Sequence, residues 1–299
     1  MSRTLDPTSD KDQGTNGLPI LRAEGRPRKS LELDLPVTTD FLVAFLRDEV
    51  TRRKGFDRVV VPLSGGIDSA VATYLAVRAF GPENVFALRL PYKTSNPDSL
   101  EHAQLIIDDL GLPAETVDIT GMVDGYTNLI PSMTSHRKGN VMARARMVIA
   151  FDKAAELGAV HLGTGNKTER LFGYYTWHDV ADAAPVSPLG DLFKTQVRAL
   201  AAYLGVPEAV SSKPPSADLI VGQSDEMDLG ISYERADAIL IHHLSGFEDG
   251  YIETLGFTTA EIDLVKGLVA KTHWKRALPI QAMVSSTAIG EFYLRPVDY

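Results

Sequence analysis

Cysteine is absent from this 299-residue chain. That excludes disulfides, Cys-ligated zinc, a thiol nucleophile and a persulfide carrier, and with them a glutamine-hydrolysing domain in cis that works through a cysteine. Long apolar runs are missing too. No stretch approaches the roughly 20 residues that cross a bilayer, and the opening "MSRTLDPTSDKDQGTNG" has no apolar segment of the signal-peptide kind. A cytoplasmic location without a membrane partner is the expectation. Positive charge is in deficit, with 30 Lys+Arg against 39 Asp+Glu and a formal charge of -9. A broad nucleic-acid surface needs clustered cations, so nucleic acid is not an expected partner. One phosphorylated small molecule in a locally basic pocket remains compatible with that balance.

What is present is an ordinary globular composition, 44% hydrophobic and 23% charged. Residues 1–30 are rich in Asp, Thr, Gly, Arg and Pro without periodicity and read as an extended or disordered arm. Residues 31–299 then read as one domain. Helical spacing of apolar residues begins at about Thr38 and runs to Arg53. "RVVVPL" (58–63), "NVFALRL" (84–90), "AETVDI" (114–119) and "AVHLGT" (159–164) read as strands, with helices predicted over 69–80, 99–111 and 140–158. Strands that alternate with helices and are apolar throughout predict an α/β fold, a doubly wound and mainly parallel sheet covered on both faces. Further helices are expected over 190–205, 232–244 and 258–272, so the C-terminal part adds helices beyond the sheet. Residues 211–231 read as a long loop, which in a compact domain is more often functional than idle.

Ligands of such sheets bind beyond the carboxyl ends of strands, and two unusual segments fall there. In "VVVPLSGGIDSAVATYL" (59–75) a buried strand runs into Ser64-Gly65-Gly66-Ile67-Asp68-Ser69 and then a helix. Glycines let a backbone approach phosphate closely, and a helix N-terminus offers amide donors and partial positive charge. Ser64 and Ser69 add hydroxyls. Asp68 would repel phosphate alone, which points to a bridging Mg²⁺. The plain alternative is a strand–turn–helix with Asp68 or Ser69 as N-cap. The second segment, "HLGTGNKTE" (161–169), carries Thr164 and Glu169. Glu169 is either a partner of Asp68 on the metal or a surface acid at a helix start. "GAVHLGTG" (158–165) is not a Walker A loop, because Thr164 stands where that motif needs Lys. The first strand–helix turn is not G-x-G-x-x-G either.

The sextet S-G-G-x-D-S resembles the pyrophosphate loop of the N-type ATP pyrophosphatases, which share an adenine nucleotide alpha-hydrolase-like fold. Six further blocks, "KGNVMARARM", "HLGTGNKTERLFGYYT", "LFKTQVRALAAYLGVP", "KPPSADL", "QSDEMDLGISYERAD" and "HWKRALP", resemble the NAD synthetase family in the same order. The resemblance implies ATP-dependent amidation of deamido-NAD to NAD by ammonia, through an acyl adenylate, with release of AMP and pyrophosphate. It implies that the loop Ser64, Gly65, Gly66, Ile67 and Ser69 binds ATP phosphates, and that Asp68 and Glu169 hold Mg²⁺. It further implies ATP contacts from Thr164, Lys194 and Ser216, with Asp68 and Lys194 serving the chemistry, and dinucleotide contacts from Arg146 and Lys275. A homodimer is implied as well. Without cysteine, ammonia comes free or from a glutaminase partner in trans.

The family pattern after "GYYT" has a Lys and an Asp that help hold the pyridine dinucleotide. Here "GYYTWHDVADAAPVSP" (173–188) puts Trp177 at the Lys position and Ala184 at the Asp position, with Asp182 as a shifted substitute. Trp177 is either a stacking surface or a core residue. The departure leaves open an adenylating ligase for a different aromatic or nucleotide carboxylate. A third alternative, an ATP-binding module without turnover, explains the loop but not the pair Asp68 and Glu169.

Overall fold

In this computed structural model, residues 29–213, 224–276, 282 and 284 are described. Most of the expected N-terminal arm, residues 214–223 of the expected 211–231 loop and the "EFYLRPVDY" tail lie outside them; of the rest of that loop, Asp225–Leu229 is helical instead. The elements run α1 (Leu35–Arg47), β1 (Val59–Pro62), α2 (Ile67–Phe80), β2 (Val85–Arg89), α3 (Pro97–Leu110), β3 (Ala114–Thr116), α4 (Thr120–Thr127), α5 (Ser135–Glu156) and β4 (Val160–His161). They continue with α6 (Lys167–Phe172), α7 (Lys194–Leu204), α8 (Glu208–Ser211), α9 (Asp225–Leu229), α10 (Tyr233–Leu244), α11 (Asp249–Thr254) and α12 (Thr259–Thr272). The helix expected up to Arg53 changes at Arg47 into a π-helical turn, Asp48–Arg53, which Gly55 follows at φ +74°.

The strands pair in parallel in the order β3-β2-β1-β4. β1 explains the layering. Val59 and Val61 point into a core shared with α1, α2, α3 and α7, whereas Val60 faces Leu88, Ile119, Met142 and Ala145 on the side of α4 and α5. Alternate side chains leave opposite faces of a strand, so three consecutive buried valines require cover on both. A separate apolar cluster, including Phe172, Leu229, Tyr233, Ile239, Ile262 and Val265, joins the C-terminal helices to α6. The doubly wound parallel sheet with extra C-terminal helices is therefore the observed architecture.

Local signals set the helix starts. Thr258 and Glu261 form a reciprocal capping box at α12, with Thr258 Oγ1 accepting from the Glu261 N–H and Glu261 Oε2 accepting from the Thr258 N–H at 2.9 Å. Strand β3 stops at Thr116, but the chain beyond it still bonds to the sheet edge, with Val117 N donating to Arg89 O and Ile119 N to Pro91 O, both at 2.9 Å. β4 itself is short, but Leu162 just after it still donates its N–H to Val60 O of β1 at 2.9 Å and makes a bridge to Val186 on its other side.

Candidate active site

α2 begins at Ile67 with Gly66 as its N-cap, and no side chain caps it. The chain runs strand–turn–helix here, but neither Asp68 nor Ser69 is the N-cap. An uncapped first turn leaves its amides aimed at the space beyond β1, with the helix dipole behind them. Gly65 makes the turn at φ +77°, and a Cβ there would lie 2.1 Å from the Ser99 carbonyl oxygen. The loop thus packs its backbone directly on the start of α3, which only glycine permits. Inside the turn, the Ser69 hydroxyl donates to Gly66 O at 2.9 Å, and the Ser64 and Ser69 hydroxyls lie 3.1 Å apart.

A cavity of about 290 Å³ lies over this turn. Ser64, Gly66, Ile67, Asp68, Ser69, Thr164, Glu169, Lys194 and Arg146 all line it. Gly65 and Lys275 are outside its lining. Ser216 lies outside the described residues.

Three ionisable groups meet at its floor. The Lys194 ammonium, the first residue of α7, donates to Asp68 Oδ2 at 2.5 Å and to Glu169 Oε1 at 3.0 Å. Burial disfavours the charged form of Lys194, but the two carboxylates outweigh that and hold its pKa above the usual lysine range. Burial pushes the Glu169 carboxyl up, with Lys194 pulling against it and Asp68 adding to the rise. The Asp225 carboxyl, which also lines the cavity, is raised by burial.

The two carboxylates fit a magnesium ion by their chemistry. Mg²⁺ is usually held by one or two carboxylates together with substrate phosphates, not by an all-protein cage. Among the described residues no cluster of three or more His, Cys, Asp or Glu could hold a metal unaided, while Asp68 and Glu169 face an uncapped helix N-terminus suited to phosphate.

Asn166 belongs to this floor and is not among the residues expected from sequence. It is fully buried at the N-cap of α6, where its Oδ1 accepts from the Glu169 N–H at 3.0 Å and its Nδ2 donates to Asp68 Oδ1 at 2.8 Å. The spacing N-x-x-E in "NKTE" is the sequence signal that could have found it. Lys213 is a second addition. It lines the cavity and donates to Ser99 Oγ at 2.9 Å, and its signal is the lysine that opens "KPPSADL".

The two arginines of α5 divide as their spacing predicts. Arg146 reaches the cavity, its Nε donating to Leu90 O at 3.0 Å at the end of β2. Arg144 faces elsewhere and donates from Nε and Nη2 to Trp177 O at 3.2 and 3.1 Å. The Lys275 ammonium donates to the carbonyls of Gly173 and Tyr175 at 2.7 and 2.8 Å, stapling the 173–176 turn. Burial lowers its pKa.

A family profile for NAD synthase matches residues 38–279. The chain belongs to the NAD synthase family. An NH(3)-dependent NAD(+) synthetase of Chlorobaculum parvum is 47% identical over 264 residues, covering 88% of this chain and 94% of that protein. Among solved structures, an NMN synthetase from Francisella tularensis superposes with a TM-score of 0.74 at 30% identity, covering 84% of this chain and 99% of that one. An NH3-dependent NAD synthetase from Campylobacter jejuni does so with a TM-score of 0.71 at 29% identity, covering 84% and 100%. The family's enzymes are C–N ligases that use ATP as a substrate.

The segment 176–182 is tied together by hydrogen bonds to two aspartates. Asp179 is buried at the cavity wall, accepting from the N–H groups of Thr176 at 3.2 Å and of Ala181 and Asp182 at 2.9 Å. Asp182 does not line the cavity; its Oδ2 accepts from the His178 N–H at 3.0 Å. Trp177 is not a core residue. It is half-buried, edge-on to the exposed Trp274 with ring centroids 5.3 Å apart.

Proposed function

We propose that this chain amidates deamido-NAD to NAD, using ATP and ammonia. The carboxylate oxygen of the nicotinate attacks the α-phosphorus, the bond to the bridging oxygen breaks, and pyrophosphate leaves. Ammonia then attacks the acyl carbon, loses a proton, and AMP departs with the bonding pair. The observation that carries this reading is the meeting of an uncapped helix N-terminus with Asp68, Glu169 and Lys194 in one cavity. Such fixed donors and charges favour a departing diphosphate without reorganisation during the reaction.

In this reading the 64–69 loop and Lys194 bind the phosphates, with Thr164 and Ser216 on the nucleotide and Arg146 on the second substrate. Lys275 acts through the turn that it staples. Asp68 and Glu169 would hold Mg²⁺, which supplies charge neutralisation at the phosphates. Asn166 aims the Asp68 carboxylate directly and caps the turn of α6 from which Glu169 projects. Ammonia is taken free or from a glutaminase partner in trans, since the chain has no cysteine. The working form is a cytoplasmic homodimer, which sedimentation would read directly.

A second reading keeps the adenylation and changes the acid to a mononucleotide carboxylate. The altered Trp177 segment and the likeness to an NMN synthetase favour it. One assay separates the two. Full-length protein receives ATP, Mg²⁺ and ammonium with either deamido-NAD or nicotinate mononucleotide, and AMP, pyrophosphate and amide product are followed. NAD formed in step with AMP supports the first reading, and turnover confined to the mononucleotide supports the second. ADP and orthophosphate as products would overturn both.

A further inference from the structure

Asp237 lies on α10, is 0% exposed, and does not line the cavity. Both of its oxygens are nevertheless engaged with the helices that carry the site. Oδ1 accepts from the Thr168 hydroxyl at 2.6 Å, and Oδ2 accepts from the Thr195 N–H at 2.8 Å. The Thr168 oxygen in turn accepts from the Lys194 N–H at 3.0 Å. A carboxylate only accepts, so the Thr168 hydroxyl proton is the one shared with Asp237 while its oxygen receives the Lys194 amide proton. The first two amides of α7 therefore end on Thr168 of α6 and on Asp237 of α10.

This arrangement answers a local deficit. The N-cap of α7 is Phe193, whose side chain has no acceptor. A buried helix end needs partners for its first amides, and a negative charge there is favoured by the helix dipole. Both are supplied from other helices. Thr168 directly precedes Glu169, and Lys194 opens α7, so the network fixes the residues on either side of the Lys194–Glu169 ion pair.

We propose that Asp237 is a positioning residue for the reaction: by clamping the starts of α6 and α7 together, it sets the spacing of Glu169 and Lys194 around the MgATP phosphates. A short carboxylate accepts from both donors at once. Asn offers one acceptor oxygen, so its NH₂ either opposes the Thr195 N–H or donates to the Thr168 hydroxyl and leaves that hydroxyl's proton without its acceptor, and Ser offers a single oxygen for two donors. The role rests on the reading that Glu169 and Lys194 serve MgATP.

The test uses full-length Asp237→Asn, Thr168→Val and Thr168→Ser proteins, each compared with the parent. Folding is followed by thermal melting. Affinity for ATP with Mn²⁺ is measured by equilibrium dialysis below the melting transition, and KM is measured separately for ATP and for the acid substrate. The expected result is that Asp237→Asn and Thr168→Val each weaken Mn²⁺–ATP binding by roughly 10- to 100-fold, the usual effect of losing a partner that orients a metal-site residue. KM for ATP rises with it, KM for the acid stays within about twofold, and Thr168→Ser restores binding, because the hydroxyl is what the network uses. Mn²⁺–ATP affinity within about twofold of the parent in the folded variants, or an equal rise in both KM values, would overturn the proposal. If Asp237→Asn does not fold, the Thr168 pair decides alone. The binding measurement needs no acid substrate, so a failure of the proposed amidation and a failure of this role are read separately.

Discussion

The ammonium of Lys194 lies 2.5 Å from Oδ2 of Asp68, and Glu169 completes the group from the other side at 3.0 Å. One buried cation therefore bridges two half-buried carboxylates that would otherwise repel each other. Removing one member of such a set strands charge in low dielectric, at a cost of about 3–5 kcal/mol. Lys194→Met is expected to lower stability by that order near pH 7. Its loss also raises the Glu169 pKa in the folded state further above the unfolded value. Stability from a raised carboxyl is present at low pH and lost as pH rises through the folded pKa, so the penalty relative to the parent shrinks toward pH 5. Urea unfolding at both pH values checks this, and a penalty that grows on acidification would contradict the ion-pair account.

Gly65→Ala tests the loop. The substitution meets both a positive φ and a backbone oxygen at 2.1 Å, and neither can move without shifting α3. A left-handed alanine costs about 1–2 kcal/mol before any clash. The variant is expected to melt lower, and its KM for ATP is expected to rise more than its KM for the acid. Gly55→Ala is the control for φ alone, since φ there is +74° with nothing within 4 Å of the added Cβ. Equal nucleotide affinity in both variants would separate the loop from phosphate binding.

The parts of this fold that were legible in the sequence are those written in neighbouring residues. Val59, Val60 and Val61 declare a strand covered on both faces, and the 64–69 sextet declares a turn that exposes a helix start. The floor of the site was less legible because its contacts span distance along the chain. Asn166 meets Asp68 across 98 positions, Thr168 meets Asp237 across 69, and Lys194 meets Asp68 across 126. The lysine read from sequence as a phosphate contact bridges two carboxylates. The strand expected over 159–164 is regular only at Val160–His161, because beyond the last bond of Leu162 to Val60 O the chain turns at Gly163 toward Val186.

His161 gives the chain an acid-sensitive point apart from its carboxylates. The ring is buried at the end of β4, edge-on to Phe151 at 4.4 Å, with Nε2 3.3 Å from Val180 O. Burial pushes its pKa down to about 4. The unfolded chain then binds a proton near pH 6.5 that the folded chain refuses, so stability falls as pH drops from about 6.5 toward 4, by at most about 1.4 kcal/mol per pH unit. His161→Gln, which keeps a donor near the Nε2 position, is expected to remove this slope. Urea midpoints at pH 7 and pH 5 should differ less in the variant by an amount equivalent to about 2 kcal/mol. An unchanged difference would assign the acid sensitivity elsewhere.

Trp177 and Trp274 are the chain's two tryptophans, so intrinsic tryptophan emission reports on one place. Their rings meet edge-to-face at 80°, and the carbonyl of Trp177 is gripped by Arg144 while the adjoining Thr176 lines the cavity. An acid substrate that stacks its heterocycle at this rim changes that emission, and Trp274→Phe isolates the response of Trp177. An aromatic stacking contact is worth about 0.5–1.5 kcal/mol, so Trp177→Ala is expected to raise KM for the acid roughly 2- to 10-fold while leaving KM for ATP nearly unchanged. Titrating Trp274→Phe with deamido-NAD and with nicotinate mononucleotide then shows which acid the rim receives, since only an acid that reaches Trp177 alters its spectrum at concentrations near KM. Emission indifferent to both acids, together with parental KM values in Trp177→Ala, would make this pair a surface feature and move substrate selection to Arg146 and Asp179 on the cavity wall.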